Sequence, residues 1–290
     1  MFGTIFVSGA SGTIGQKVCD HLVQNSIDFT VGLNTPNTFV TGAQSTTYFD
    51  YNDVDQMCRA LSGFKKLFFI LPFDIHSRQY AANIIDAAKK AEIETVVRTS
   101  IVAADPNSAH SIAKFHGEID QLLEQSGLDY IILRPNILMQ NFSRFYKSCI
   151  EQQGFFYIPG ANCKTSFIDA DDVGAIAAKS LIHSKPYLKK TLVLTGPESL
   201  SYQDVSRIMT AHMKREISYM DIEDFNLVQE LEKSGIQMDL AQHLLSIYQL
   251  CNAGLTSEIN QIARDIMERE PISFKEFFRN NFKDTSEVVA

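Results

Sequence analysis

The sequence predicts an α/β fold, a doubly wound parallel sheet with a smaller, mostly helical C-terminal lobe. Three observations carry this. Apolar runs of strand length alternate with stretches whose apolar residues recur at helical spacing through the first half of the chain. The glycines Gly9, Gly12 and Gly15 follow the first apolar run and open the first helical stretch. Beyond residue 150 the strands shorten, and from Ser201 onward helical patterning dominates.

The elements follow in order. "TIFVSG" is apolar up to Gly9 and reads as a buried parallel strand. Ile14, Val18 and Leu22 then fall on one helical face. "FTVGL" is the second strand and "TTYFDY" the third, with Val54, Met57 and Leu61 marking a short helix. "KLFFILP" is the fourth strand, followed by a helix striped with Ile84, Ile85 and Ala88. "TVVRTSIV" is the fifth, followed by a helix carrying Ile112, Ile119, Leu122 and Leu123, and "DYIILRP" is the sixth. Repeated β-α-β units of this length form parallel sheets by right-handed crossovers.

"GFFYIPG" and "TSFIDA" read as short strands, and "DDVGAIAAKSLI" as a helix with acidic residues in its first turn. "TLVLTG", near 191–195, reads as a strand returning to the main sheet. Ser273 and Glu276 form the S-x-x-E of a capping box. Phe142, Phe145, Tyr146, Phe155, Phe156 and Tyr157 crowd one stretch, as plain core or as the wall of a substrate site. The expected division is a dinucleotide-binding domain over 1–153 and a discontinuous, substrate-side lobe over 154–290.

The chain has 290 residues, enough for one large α/β unit or two coupled lobes. Hydrophobic residues make up 45% and charged residues 21%, the balance of a soluble globular protein. A net charge of −8 without a basic stripe argues against nucleic acid and anionic membranes as partners. No run approaches the roughly 18 apolar residues of a membrane span, and no signal peptide is visible, so the expected location is cytoplasmic. Cys19, Cys58, Cys149, Cys163 and Cys251 form no CxxC pair and no zinc spacing. They are expected to be reduced thiols packed as small core residues, with no metal bound.

The loop Gly9-Ala10-Ser11-Gly12-Thr13-Ile14-Gly15 has the context of a dinucleotide cradle. Gly9 permits the tight turn, Gly12 lets backbone approach a pyrophosphate, and Gly15 permits close helix–strand packing, as in a Rossmann fold. The N–H groups at the helix start supply anion donors, and Ser11 and Thr13 add hydroxyls. At the end of the second strand an acid holds the ribose 2′-OH of NAD, whereas a base accepts the 2′-phosphate of NADP. Here stand Asn34 and Thr35, which hydrogen-bond either, so NADP or NAD stays open. Asp50 is placed to approach the adenine edge, or serves as a turn carboxylate. No Tyr has Lys four residues on in a helical pattern, so the Tyr-x-x-x-Lys proton donor of common short-chain dehydrogenases is missing. Neither G-x-S-x-G nor H-E-x-x-H occurs.

"VSGASGTIG", "SGLDYIILRPNILMQNF", "FIDADDVGAIAAKSL", "LTGPESLSYQDVSRIM" and "EPISFKEFFRN", in this order, resemble the NmrA-like atypical short-chain dehydrogenase/reductases. The resemblance spans nearly the whole chain. It implies cofactor contacts from Gly9 to Gly15, Asn34-Thr35, Asp50-Tyr51, Leu71-Pro72-Phe73 and Thr99-Ser100-Ile101. It places Pro135, Asn136, Ile137 and Leu138 beside the nicotinamide. Reductases of the family often carry a Lys near Lys114, where it contacts the nicotinamide ribose or moves a proton. Lys114 with Glu118 and His116 with Asp120 are also i,i+4 pairs, so exposed helical pairing stands beside a catalytic role for Lys114 and His116. Many relatives have Arg where Asn34 stands, which weakens the case for NADP.

Two functions follow as expectations. One is an NAD(P)H-dependent reductase of a small aromatic or quinone-like substrate. The other is a non-catalytic redox sensor that binds NAD(P) and signals through a protein partner. Association into a homo-oligomer stays open.

Overall fold

The structure, a computed structural model, describes residues 4–34, 42–72, 74, 76–160 and 163–282. Its main sheet has seven strands: β1 (Ile5–Ser8), β2 (Phe29–Leu33), β3 (Ser45–Tyr48), β4 (Lys66–Phe69), β5 (Thr95–Thr99), β6 (Asp129–Pro135) and β9 (Lys190–Leu194). They lie in the order β3-β2-β1-β4-β5-β6-β9, and β1 to β6 pair parallel throughout. The expected α/β doubly wound sheet is therefore present, with β9 returning at the β6 edge. Strand order reverses between β1 and β4, and ligands of such sheets bind at that switch point, beyond the carboxyl ends.

Helices α1 (Thr13–Gln24), α2 (Val54–Leu61), α3 (Ser77–Lys90), α4 (Ser111–Glu124) and α6 (Ala170–Ile182) belong to the same unit as this sheet, apart from Ser111 and Ile112 at the start of α4. The apolar stripe read from the sequence is the buried face of α1: Ile14, Val18, Cys19 and Leu22. α6 packs on α1, and a Cβ on Gly174 would stand 2.7 Å from the Lys17 carbonyl carbon, so only glycine allows this approach. Phe6, Phe49, Leu67, Phe69, Val96 and Ile132 are fully buried in one core cluster. Each such side chain contributes roughly 1.5–3 kcal/mol relative to exposure.

The chain forms two units. The first comprises Met1–Ala109, Ala113–Pro135 and Ala170–Val193, and the second His110–Ile112, Asn136–Asp169 and Leu194–Ala290. Residues 136–153 thus fold with the second unit, not with the first as expected. The second unit holds α5 (Gln140–Phe145), β7 (Phe155–Tyr157), β8 (Lys164–Thr165), β10 (Leu200–Ser201), α7 (Tyr202–Met213) and β11 (Ser218–Met220). It continues with α8 (Asp224–Lys233), α9 (Met238–Asn252), α10 (Ile262–Met267) and α11 (Phe274–Asn281), which bears out a mostly helical lobe. β7 pairs parallel with β11, and β8 antiparallel with β10.

Phe142, Tyr146, Phe156 and Tyr157 lie in the buried core of this unit. Phe142 meets Phe274 and Phe156 edge-on, with centroids 5.2 and 5.5 Å apart. The aromatic stretch is therefore core. The expected strand "TSFIDA" shrinks to its first residue, in β8, and an isolated bridge from Ile168 to Leu138. Ser273 accepts from the Glu276 N–H, but the full capping box stands at Ser201 and Asp204, which caps α7.

One cysteine expectation is corrected. Cys163 and Cys251 form a disulfide, and Cys19, Cys58 and Cys149 are free. The two partners are 88 residues apart, so local spacing carried no trace of the pairing. Among the described residues no group of His, Cys, Asp and Glu could hold a metal ion, and no helix is long and apolar enough to cross a membrane.

Candidate functional site

The glycine loop leaves β1 and turns into α1. Gly9 has φ +82°, a left-handed conformation, and a Cβ there would also stand 2.6 Å from the Ile70 carbonyl oxygen. A Cβ on Gly15 would overlap the Gly9 carbonyl and stand 2.9 Å from the Ala10 Cα. Gly12 differs: φ is −80°, and a Cβ would meet only the Gly9 carbonyl oxygen, at an ordinary 3.5 Å. Two glycines are thus required by packing, while the third leaves open space on the surface of the turn. Gly12 is also the N-cap of α1, no side chain caps that end, and its first turn holds no acid. Such a helix start presents donors and a positive dipole end to an anion. Ser11 is exposed, Thr13 is half-buried, and Ile14 is buried, so Ile14 offers backbone only.

Several other expected contacts follow the carboxyl ends of strands in the same unit. Asn34 follows β2 and is exposed, whereas Thr35 and Phe73 lie outside the described residues. Asp50 is engaged in its own turn: its Oδ1 accepts from the Asn52 N–H at 2.9 Å, and its Oδ2 accepts from the Tyr48 hydroxyl at 3.3 Å. That geometry favours the turn-carboxylate alternative. Tyr51 is buried, shares a 2.9 Å hydrogen bond with Ser8 at the end of β1, and has its hydroxyl pKa raised by burial. Leu71 is half-buried and Pro72 exposed, with the Pro72 carbonyl accepting from Ser77 Oγ at 2.6 Å. Thr99 ends β5 with Oγ1 buried and without a hydrogen-bond partner among the described residues. A buried orphan hydroxyl costs stability unless something completes it. Ile101 is half-buried beyond it.

Behind Ser100 lies a cluster that sequence reasoning missed. Asp120 on α4 pairs with Arg98 of β5 and, at 2.8 Å, with Nη2 of Arg134 in β6. Asp120 also accepts from Ser100 Oγ and Arg134 Nε, both at 2.9 Å. Arg98 is fully buried, and burial together with the Arg134 charge pulls its guanidinium down to about 9, so it stays charged at neutral pH. His116 Nδ1 lies 3.3 Å from Arg98 Nη2. The expected exposed pair of His116 and Asp120 is thus replaced by a buried arginine between them. Glu118 pairs with Arg78 at 3.6 Å, and Lys114 stands exposed on α4. The available signal was Arg98 inside an otherwise apolar strand, because a buried cation needs a buried carboxylate.

Pro135 closes β6, and its carbonyl accepts from the Val102 N–H at 2.9 Å. Asn136 and Leu138 belong to the second unit. Asn136 is 4% exposed, and its whole amide is committed. Nδ2 donates to Ser166 Oγ at 2.7 Å and to the Thr256 carbonyl at 2.8 Å, and Oδ1 accepts from the Ile137 N–H at 2.8 Å. Asn136 therefore braces its own segment. Leu138 is half-buried and bridges to Ile168.

The residues present fit a dinucleotide. The Gly12 surface is open where a Cβ would sit, the α1 start is uncapped, and the Thr99 hydroxyl at the carboxyl edge lacks a partner.

The model of the NmrA-like family matches residues 1–278. The chain is similar to the prestalk A differentiation protein A of Dictyostelium discoideum, 26% identical over 290 residues, covering 98% of this chain and 94% of that one. It is 28% identical over 278 residues to the NAD(P)H azoreductase of Xenophilus azovorans, covering 94% and 96%. Among solved structures, the NADPH-dependent quinone oxidoreductase of Escherichia coli complexed with NADPH superposes with a TM-score of 0.86. The identity is 20%, covering 95% of this chain and 99% of that one.

Proposed function

The chain belongs to the NmrA-like family, and on that premise we propose that it is an NAD(P)H-dependent reductase of a small aromatic or quinone-like substrate. The observation that carries this is the uncapped, glycine-built start of α1 at the switch point of the sheet. Azoreductase and quinone oxidoreductase relatives support a flat, conjugated electron acceptor as the substrate class.

When bound, the nicotinamide supplies the hydride. The protein's own part is binding and orientation. The N–H groups from Thr13 to Gly15, with the Ser11 and Thr13 hydroxyls, hold the pyrophosphate. Asn34 faces the ribose 2′ position. Thr99, its hydroxyl without a partner among the described residues, would meet the nicotinamide end, and Asp120 fixes the neighbouring Ser100 hydroxyl. Lys114, exposed at the start of α4, moves a proton or contacts the nicotinamide ribose.

The test is oxidation of NADPH and NADH by the purified chain with quinones, azo dyes, triphenylmethane dyes and cyclic imines. Turnover with one of these classes is the expected result. Tight cofactor binding without turnover across the panel contradicts the reductase and leaves the sensor, which then requires a protein partner that distinguishes oxidised from reduced cofactor.

A further inference from the structure

We propose that Cys163 and Cys251 form a thiol–disulfide exchange site for a low-molecular-weight thiol, and that its state is passed to Asn136. The inference goes beyond the proposed function and stands on contacts within the second unit alone.

Access comes first. Residues Cys163 and Cys251 line an open cavity of about 600 Å³, together with Gly160, Lys164, Asp224 and Asn252. Cys163 is half-buried and Cys251 buried, so the incoming thiolate meets Cys163. Only glycine leaves room beside that sulfur at position 160: its φ is +139°, and a Cβ there would stand 2.7 Å from Cys163 Sγ. The free Cys19 does not compete, because burial pushes its thiol up to about 12.

The chemistry balances. A thiolate attacks Cys163 Sγ, the S–S bond breaks, and the electron pair leaves on Cys251, which then takes a proton. Thr165 Oγ1 lies 3.1 Å from Cys251 Sγ and donates to the departing thiolate by turning its one proton away from Thr256 Oγ1. A second thiol attacks the mixed disulfide, freeing Cys163 as a thiol and the reagent as its own disulfide. Two electrons and two protons have passed to the protein.

Transmission follows a continuous path within the second unit. Thr165 Oγ1 also meets Thr256 Oγ1 at 2.9 Å, and Thr256 Oγ1 donates to the Lys164 carbonyl at 3.0 Å. The Thr256 carbonyl then accepts from Asn136 Nδ2 at 2.8 Å and from the Ser166 N–H at 2.9 Å. The disulfide holds two segments, 88 residues apart in sequence, that meet in this network. Cutting it releases the tether at the end of α9 and loosens the partners of Asn136.

The experiment uses the full chain, equilibrated with glutathione disulfide or with dithiothreitol, without denaturant. Alkylation with mass spectrometry reads the cysteines, and hydrogen exchange reads the Ile137 and Ser166 amides. The expected result is a Cys163–Cys251 linkage that dithiothreitol opens in the folded protein, with both amides exchanging about tenfold faster afterwards. The double variant Cys163→Ser, Cys251→Ser exchanges fast in both buffers; if it does not fold, Cys163→Ala alone gives the same reading. Two free thiols in glutathione disulfide, a linkage that resists native reduction, or equal exchange in both states overturns the proposal. No cofactor enters this readout, so its failure leaves NAD(P)H binding untouched, and loss of NAD(P)H binding leaves it standing.

Discussion

Gly15 sits against Gly9 so closely that a methyl group on it would overlap the Gly9 carbonyl and stand 2.8 Å from that carbonyl carbon. The turn and the first helical turn are one packed object, and Gly15 is a structural glycine. Gly15→Ala forces backbone apart and should lower stability by roughly 1–3 kcal/mol. Chemical denaturation measures this, and cofactor affinity falls with it.

Asn34 is exposed after β2, and we propose that it meets the ribose 2′ substituent. Asn34→Arg should shift preference toward NADPH, and Asn34→Asp toward NADH, each by about tenfold through a charge-assisted contact. The ratio of kcat/KM for the two cofactors measures it. Identical ratios in both variants would place the ribose elsewhere.

Asp120 bridges two arginines, Arg98 buried and Arg134 half-buried, and orders Ser100. Asp120→Asn leaves the buried Arg98 without its carboxylate, while Arg134 keeps the charges of Glu124 and Asp105, and should destabilise the fold by about 3–5 kcal/mol. Because Arg98 is fully buried, salt should not rescue it. A shift in denaturation midpoint, compared at low and high salt, reads both statements.

Asp171 ties α6 to α1 through His21 and Lys17, each at 3.3 Å. The His21 hydrogen bond, aided by the His21 and Lys17 charges, lowers its pKa from 3.8 to about 2. A depressed carboxylate stabilises the fold fully above 3.8 and loses that contribution as pH falls through about 2. The loss is on the order of 1 kcal/mol after screening by solvent. Asp171→Asn should remove this part of the acid sensitivity, seen as a smaller drop in melting temperature between pH 5 and pH 2 (about those values, set by the two pKa limits).

The central parallel strands were legible because they are runs of residues buried on both faces, as in Ile5–Ser8 and Thr95–Thr99, whereas the edge strand Ser45–Tyr48 alternates half-buried and exposed residues. The glycine loop was legible because local geometry alone demands glycine at Gly9 and Gly15. What escaped depends on contacts distant in sequence. Asp120 looked like a surface partner of His116, because helical spacing cannot show that Arg98 comes between them. Cys163 and Cys251 gave no pattern at a separation of 88. Asn136 was read as a ligand contact, yet Ser166 and Thr256, far along the chain, take up its amide.

The most direct test is an NADPH titration of the wild-type chain beside Gly12→Asp, with melting temperatures measured on both. Gly12 is the α1 N-cap with extended backbone, so Asp there caps the helix and favours its dipole, by about 0.5–1 kcal/mol. The same carboxylate would stand where we propose that the pyrophosphate binds. The expected result is a melting temperature equal to or above wild type with affinity for NADPH at least about tenfold weaker. Equal affinity in the two proteins would contradict the assignment of this loop as the dinucleotide cradle.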